Sequence, residues 1–430
     1  VRNWAGNVDF AAARFCRPGS IDELRTLVAG SPRVRALGTG HSFNRIADTT
    51  GDLVSLAGLP PVVELDSAGR QVEVSAGLRY GELAGYLNRH GFALHNLGSL
   101  PHISVAGACA TGTHGSGDGN PGLAAAVAAI ELVTADGELR VLSRTGDTAE
   151  EFHGTVVGLG ALGIVTRLWL EVEPAYSVRQ HVYDNLAHEM VLAHLDEILA
   201  SGYSVSLFTR WQPEPVYQLW RKRRAGGVDE GGVDDGGVDD GGEAEPVFFG
   251  ATAAPEPRHP LPAMDAANCT EQLGRIGPWH ERLPHFRLEF LPSQGEELQS
   301  EYLVPRALAG QAIEAIAGIG HQVAPVLQVC ELRSIAADEF WLSPGYRRDN
   351  LGVHFTWVPD AAAVLPVLAE VEHRLAALQA RPHWGKLFGI GPASCGEVYE
   401  RYHDFRRLRA LRDPGRKFSN DFLDRYFPAP

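Results

Sequence analysis

The segment Gly38-Thr39-Gly40-His41-Ser42-Phe43-Asn44 carries residue types suited to chemistry. Glycines on both sides of Thr39 permit a tight turn and a close approach of backbone to ligand. A histidine on such a turn offers one accessible nitrogen. That suits a nucleophile, a metal ligand, a covalent cofactor tether or a plain polar turn. A second glycine-rich run starts at Gly98-Ser99-Leu100-Pro101-His102-Ile103-Ser104-Val105-Ala106-Gly107 and continues through Thr111-Gly112-Thr113-His114-Gly115-Ser116-Gly117. Its backbone N–H groups and hydroxyls can wrap a pyrophosphate without bulky cations. Neither a dinucleotide-type GxGxxG opening an early βαβ unit nor a P-loop lysine motif is present, so those two phosphate-binding readings fail.

A third group lies in the second half. Glu331 and Arg333 alternate along one apolar run, and His354 and Thr356 along another, so each pair shares one face of a strand. Lys386 follows in His383-Trp384-Gly385-Lys386. Charged side chains on strands flanked by Leu, Val and Phe point to a polar pocket in an apolar wall, against the alternative of an exposed charged sheet face.

The elements that must position these residues are short in the first part. Ser20 and Glu23 mark a helix start. Strands are expected at 33–37, 53–56, 62–65, 71–75, 129–134 and 139–143, with a helix at 80–90 and a loop-like stretch at 96–122. Beyond a boundary near Pro174, strands are expected at 203–210, 216–222, 284–290, 299–304, 326–333 and 351–357. Helices are expected at 188–200, 306–318 and 360–379. The pattern predicts an α+β fold with a largely antiparallel sheet. The domains are 1–175, 176–405 and a C-terminal segment, 406–430, that closes back on the first.

The chain has 430 residues, 53 acids against 38 Lys and Arg, and a net charge of -15. That balance argues against nucleic acid as a partner. The segment 226–245 holds eight of the acids and no base, in a repeated Gly-Gly-Val-Asp unit too polar to build a core. It is expected to be a surface loop. Its spacing matches neither an EF-hand nor a calcium-binding nonapeptide, and no metal is assigned. Five scattered cysteines without a CxxC pair read as reduced thiols of a cytoplasmic protein. No apolar run is long enough to span a bilayer, so no membrane partner is expected, and the protein is expected to be a monomer.

Four motifs occur in a telling order: Gly38-Thr39-Gly40-His41-Ser42, Ser104-Val105-Ala106-Gly107, Thr111-Gly112-Thr113-His114-Gly115-Ser116 and Gly163-Ile164-Val165-Thr166. Together they resemble the vanillyl-alcohol oxidase superfamily, and most closely its bacterial alditol (xylitol) oxidases, which are allied to the sugar-1,4-lactone oxidases. The resemblance runs from Asn3-Trp4-Ala5-Gly6-Asn7 to Lys417-Phe418-Ser419-Asn420, with 226–245 as the main departure.

It implies a two-subdomain PCMH-type FAD-binding domain plus an α+β substrate domain with a large antiparallel sheet. It implies FAD bonded through its 8α carbon to His41, with no second, cysteinyl tether near Pro101-His102-Ile103. Residues 38–44 (Gly38, Thr39, Gly40, His41, Ser42, Phe43, Asn44), Ser99, Ser104, Gly107, Thr111, Gly112, Thr113 and His114 would contact the cofactor, with Ile164 and Val165 contributing backbone. Ser99, Glu331, Arg333, Thr356 and Lys386 would bind the polyol. Arg333, Lys386 and His354 would be catalytic, His354 or Lys386 taking the proton. Gly98, preceding Ser99, would leave oxygen a path to the flavin. The implied reaction turns a terminal CH₂OH of xylitol or sorbitol into an aldehyde and O₂ into hydrogen peroxide. Three rival readings remain: a sugar-1,4-lactone oxidase, a non-flavin metal hydrolase using His41, His102 and His114, and a non-catalytic carbohydrate-binding protein.

Overall fold

The computed structural model describes residues 1–212, 216–225, 244–261, 264–290 and 297–429. Most of the acidic repeat, 226–243, lies outside them. Strand alternation organises the second half. Ser177–Ala187, Val216–Ala225, Ser204–Thr209, Leu327–Ile335, Asn350–Trp357 and Leu298–Pro305 stand side by side in that order, all antiparallel, within a ten-stranded sheet. Leu207, Cys330, Leu332, Val353 and Phe355 point to one face and form a core with Ile198, Ile313, Ile316, Val364 and Val371 of three helices, His188–Ala200, Ala309–Ala317 and Ala361–Leu375. Gln299, Glu301, Glu331, Arg333, His354 and Thr356 occupy the alternate positions and line a cavity on the other face.

In the first part, a small parallel sheet sets Asp52–Ser55 between Arg14–Cys16 and Val34–Leu37. The helix Ile21–Gly30 covers it through Leu24 and Val28. Ser20 caps that helix by accepting from the Glu23 N–H, while Glu23 reaches back to the N–H of Gly19. A five-stranded antiparallel sheet joins Val63–Asp66, Gln71–Ser75, Ile164–Glu171, Val127–Val133 and Leu139–Ser143 in that order. The chain from Trp384 onward returns to this part. Trp384, Tyr399, Phe405, Leu423 and Tyr426 share a core with Val72, Val105 and Leu168. Asn420 donates to the carbonyls of Arg45, Ile46 and Asp48.

The architecture is the expected α+β one; helices such as Ala149–Thr155 and Tyr402–Arg412 were not expected, and three further differences bear on the large sheet and the cavity wall. The long strand Ser177–Ala187 was not expected, because Arg179, Gln180 and His181 interrupt its apolar alternation; all three are nevertheless buried between neighbouring strands. The segment 284–290 is no strand. It makes one bridge, Phe286 with Cys269, and its His285 and Phe286 N–H groups turn instead to the carbonyl of Ser99. Within 96–122, the small residues of Val105–Ala110 form one short helix, close-packed against Tyr80 and Val127.

Candidate active site

The strand Val34–Leu37 delivers the 38–44 turn into the cavity. A Cβ on Gly38 would crowd the Ser104 hydroxyl, and Gly40 has φ +72°, a conformation that favours glycine. The turn is pinned from two sides. Trp4 donates its N–H to the Gly40 carbonyl at 2.8 Å, and the amides of Asn3 and Asn7 hold the carbonyls of Ser42 and Phe43. Asn44 donates to the carbonyls of Trp384 and Lys386 at 2.8 and 2.7 Å. His41 is thereby held with neither ring nitrogen hydrogen-bonded. Burial, and then the Lys386 charge, push its pKa down to about 4, so the ring is neutral and can act as a nucleophile at physiological pH.

The second glycine-rich run forms the opposite wall. Of the predicted cofactor residues, Gly38 through Asn44, Ser99, Ser104, Gly107, Thr111, Thr113, His114 and Val165 all line one cavity of about 1130 Å³. Gly112 and Ile164 do not. Gly112 has φ +71° and packs against Pro344 and Val157, serving the turn. Ile164 points into the small core with Leu24, Val34 and Phe418, because consecutive strand residues face opposite ways and Val165 takes the cavity side.

On the sheet face, register brings together what sequence keeps apart. Glu301 pairs with His354, and His354 with Glu331, across three strands. Glu301 is 1% exposed and is the centre of the charge network. The Arg333 guanidinium donates to it at 2.7 Å, with His354 Nδ1 at 3.2 Å and His114 Nε2 at 3.3 Å. Burial alone would raise the Glu301 pKa; Arg333 and the two histidines outweigh it and hold the carboxyl well below its ordinary range. Arg333 also donates to the Ser99 hydroxyl at 3.2 Å and lies 3.6 Å from Glu331. Lys386, in the turn after Arg381–Pro382, donates to Gln299 of the strand Leu298–Pro305, and its ammonium sits 5.0 Å from the Phe43 ring centre. Burial pushes the Lys386 pKa down to about 8, with Glu301 opposing and Arg333 reinforcing the fall. All five predicted substrate residues, Ser99, Glu331, Arg333, Thr356 and Lys386, therefore share the cavity with His41.

Sequence reasoning passed over Glu301, Gln299 and His285. Gln299 and Glu301 alternate on a predicted strand as Glu331 and Arg333 do, so the signal for them was present. His285 alternates with Arg287 and Glu289 on the expected strand 284–290, but that segment is irregular, so its position beside Glu331 is set by the fold.

The cavity fits FAD by its own features. The glycine cradle at 38–40 leaves space that a Cβ would close, and His41 offers two unpartnered buried nitrogens at one end. Backbone and hydroxyl groups, with Arg79 beside Ser104, line the stretch suited to a pyrophosphate. Among the described residues no group of three or more His, Cys, Asp and Glu is arranged to hold a metal ion, and no helix is long and apolar enough to cross a membrane.

Comparison with known proteins agrees with this geometry. A family model described as an FAD binding domain matches residues 12–143, and one described as D-arabinono-1,4-lactone oxidase matches residues 290–426. An alditol oxidase of Streptomyces sp. is 48% identical over 428 residues, covering 98% of each chain. The L-gulonolactone oxidase of Bos taurus is 32% identical, covering 99% of this chain and 98% of its own. The L-gulono-1,4-lactone dehydrogenase of Mycobacterium tuberculosis is 26% identical, covering 98% of each. Cholesterol oxidase from B. sterolicum superposes with a TM-score of 0.76 over 99% of this chain and 96% of that chain, at 14% identity, which is a likeness of fold.

Proposed function

The chain belongs to the alditol oxidase family of FAD-dependent oxidoreductases, and from that premise we propose that it oxidises a terminal primary hydroxyl of a polyol such as xylitol or sorbitol to the aldehyde. Oxygen is the proposed electron acceptor and hydrogen peroxide the second product. The observation that carries this reading is the convergence of Ser99, Glu331, Arg333, Thr356 and Lys386 on the cavity that also holds His41. Hydroxyl-rich ligands suit such a set, since each hydroxyl both donates and accepts.

FAD, when bound, supplies a two-electron acceptor that oxygen can reoxidise. In this reading residues 38–44, Ser104, Gly107, Thr111, Thr113, His114 and Val165 hold it. Gly112 shapes the turn beside it, and Ile164 supports Val165 from the core. His41 tethers it through a ring nitrogen, which the neutral, unpartnered imidazole supports. Arg333 and Lys386 direct positive charge at the reacting carbinol oxygen and favour its alkoxide character. Glu301 beside Nδ1 of His354 leaves Nε2, 3.5 Å from the Thr356 hydroxyl, to take the hydroxyl proton. Glu331 and Thr356 bind the remaining hydroxyls. Residues 1–175 and the returning 406–430 are assigned to the cofactor, and 176–405 to the substrate.

The proposed working unit is a monomer; size-exclusion chromatography with light scattering tests that. Five unpaired cysteines support a reducing, cytoplasmic setting. Turnover of xylitol with peroxide release tests the reaction, and yellow absorbance that stays with acid-denatured protein tests the tether. A second reading, a sugar-1,4-lactone oxidase, draws on the lactone oxidase model matched at 290–426. Turnover of a γ-lactone without turnover of xylitol would establish it in place of the first.

A further inference from the structure

Behind Glu331 lies a buried chain of polar groups that the reaction above does not use. His285 Nε2 lies 2.9 Å from Glu331 Oε1, and the Ser206 hydroxyl donates to the same oxygen at 2.8 Å. His285 Nδ1 lies 3.2 Å from Lys222 Nζ. Lys222 also donates to the carbonyls of Leu283 at 2.5 Å and Pro284 at 3.3 Å. Lys222, His285 and Glu331 are 1%, 5% and 5% exposed, so water does not substitute for these contacts.

The proton positions follow from chemistry. Glu331 is a carboxylate, held well below the ordinary range because Arg333 and His285 outweigh its burial. An acceptor oxygen at 2.9 Å requires a hydrogen on Nε2. Burial, then the Lys222 charge, push the His285 pKa down to about 4, so the ring is neutral and Nδ1 carries a lone pair. That lone pair requires a donor, and Lys222 supplies it. Burial lowers the Lys222 pKa to about 7, with Glu331 opposing; when protonated, its three hydrogens meet three acceptors, two carbonyls and Nδ1. The ring also packs edge-on against Phe208 and Trp220, at 5.4 and 5.3 Å between centroids. The His285 N–H donates to the carbonyl of Ser99 at 3.1 Å.

We propose that His285 and Lys222 are positioning residues that lock Glu331 for substrate. Their chain occupies Oε1 and leaves Oε2, beside Arg333, to accept a polyol hydroxyl. The same segment sets Ser99, so one loop aligns two groups of the polyol site. The proposal rests on the functional reading above, because it assigns Glu331 to a hydroxyl-bearing substrate. It identifies a specificity determinant outside the residues that line the reacting end.

The test uses the FAD-loaded enzyme and xylitol. His285→Leu removes the donor and is expected to raise KM about tenfold, with kcat changed less than about twofold. His285→Gln restores a donor toward Glu331 and an acceptor toward Lys222, and is expected to recover most of the loss. Lys222→Met raises KM by itself and adds nothing in the His285→Leu background, since it acts through the ring. Equal losses in the Leu and Gln variants, or additive effects of Lys222→Met and His285→Leu, would overturn the proposal. A measurement on the unmutated protein stands apart from any folding defect. Nitrogen-15 histidine spectra, with the His285 signal located by its loss in His285→Gln, are expected to show the Nε2–H tautomer; an Nδ1–H tautomer would overturn the lock. If the unmutated enzyme turns over no polyol, the functional reading falls, and the tautomer still decides the chain of contacts.

Discussion

The indole of Trp4 lies against the imidazole of His41, ring centroids 5.0 Å apart and planes 20° from parallel. The Trp4 N–H is bonded to the Gly40 carbonyl, so the N-terminal segment orients both the backbone and the ring of the proposed tether. This contact links two motifs 37 positions apart in the chain.

His41→Ala is expected to abolish covalent flavin and impair turnover while leaving the Glu331–Arg333 face in place. Trp4→Ala frees the ring and is expected to lower the covalent fraction without abolishing it. Flavin absorbance in acid-precipitated protein measures both, and full covalent loading of the His41 variant would place the tether elsewhere.

Glu301 is the counter-charge of Arg333 and faces both His354 and His114. Glu301→Gln keeps the shape and removes the charge. Leaving the buried guanidinium with only Glu331, at 3.6 Å, as counter-charge is expected to lower stability by about 3 kcal/mol and to reduce kcat, through Arg333 and His354 together. Denaturant melts and steady-state kinetics read the two effects; unchanged values in both would remove Glu301 from the site.

Lys386 has its pKa lowered to about 8, so it loses its proton, and its pull on the carbinol oxygen, as pH rises through that value. Polyol oxidation is expected to fall on the alkaline side with an apparent pKa near 8. Lys386→Arg, charged throughout, is expected to lose that limb at reduced overall rate. A single-turnover pH profile measures it, and an unchanged alkaline limb in the arginine variant would assign the ionisation to another group.

Gly98 does not have the left-handed backbone that demands glycine, and a Cβ there would meet its nearest atoms at 3.8 to 3.9 Å, ordinary contact. Gly98→Ala is therefore expected to fold and bind FAD normally. Its added methyl is expected to slow oxygen consumption while turnover with an artificial electron acceptor persists. Equal oxygen rates would show that this position does not gate oxygen.

Deletion of 228–241 is expected to leave polyol turnover within about twofold of the full chain, since a glycine-rich acidic repeat cannot bury a core. Loss of folding or of turnover would give the insert a structural or catalytic part.

Local pattern made much of this protein legible. The glycines around Thr39 announce a backbone that turns and admits a ligand, because a residue without a Cβ adopts φ +72° at Gly40 without strain and leaves room for the Ser104 hydroxyl at Gly38. Alternation placed Glu331 with Arg333 and His354 with Thr356 on shared faces, because the strand period is two whatever the fold.

What the sequence alone determined was thus the set of faces and turns, and with the family motifs the kind of cofactor. Tertiary structure decided which faces meet. Cross-strand register set His354 between Glu301 and Glu331, and an irregular loop brought His285 between Glu331 and Lys222 of the strand Val216–Ala225. Strand parity within the folded sheet, not motif membership, turned Val165 to the cavity and Ile164 to the core. Those choices depend on pairings between segments tens to hundreds of residues apart, and the energy that selects them, burial of one sheet face and neutralisation of charge on the other, belongs to no single segment.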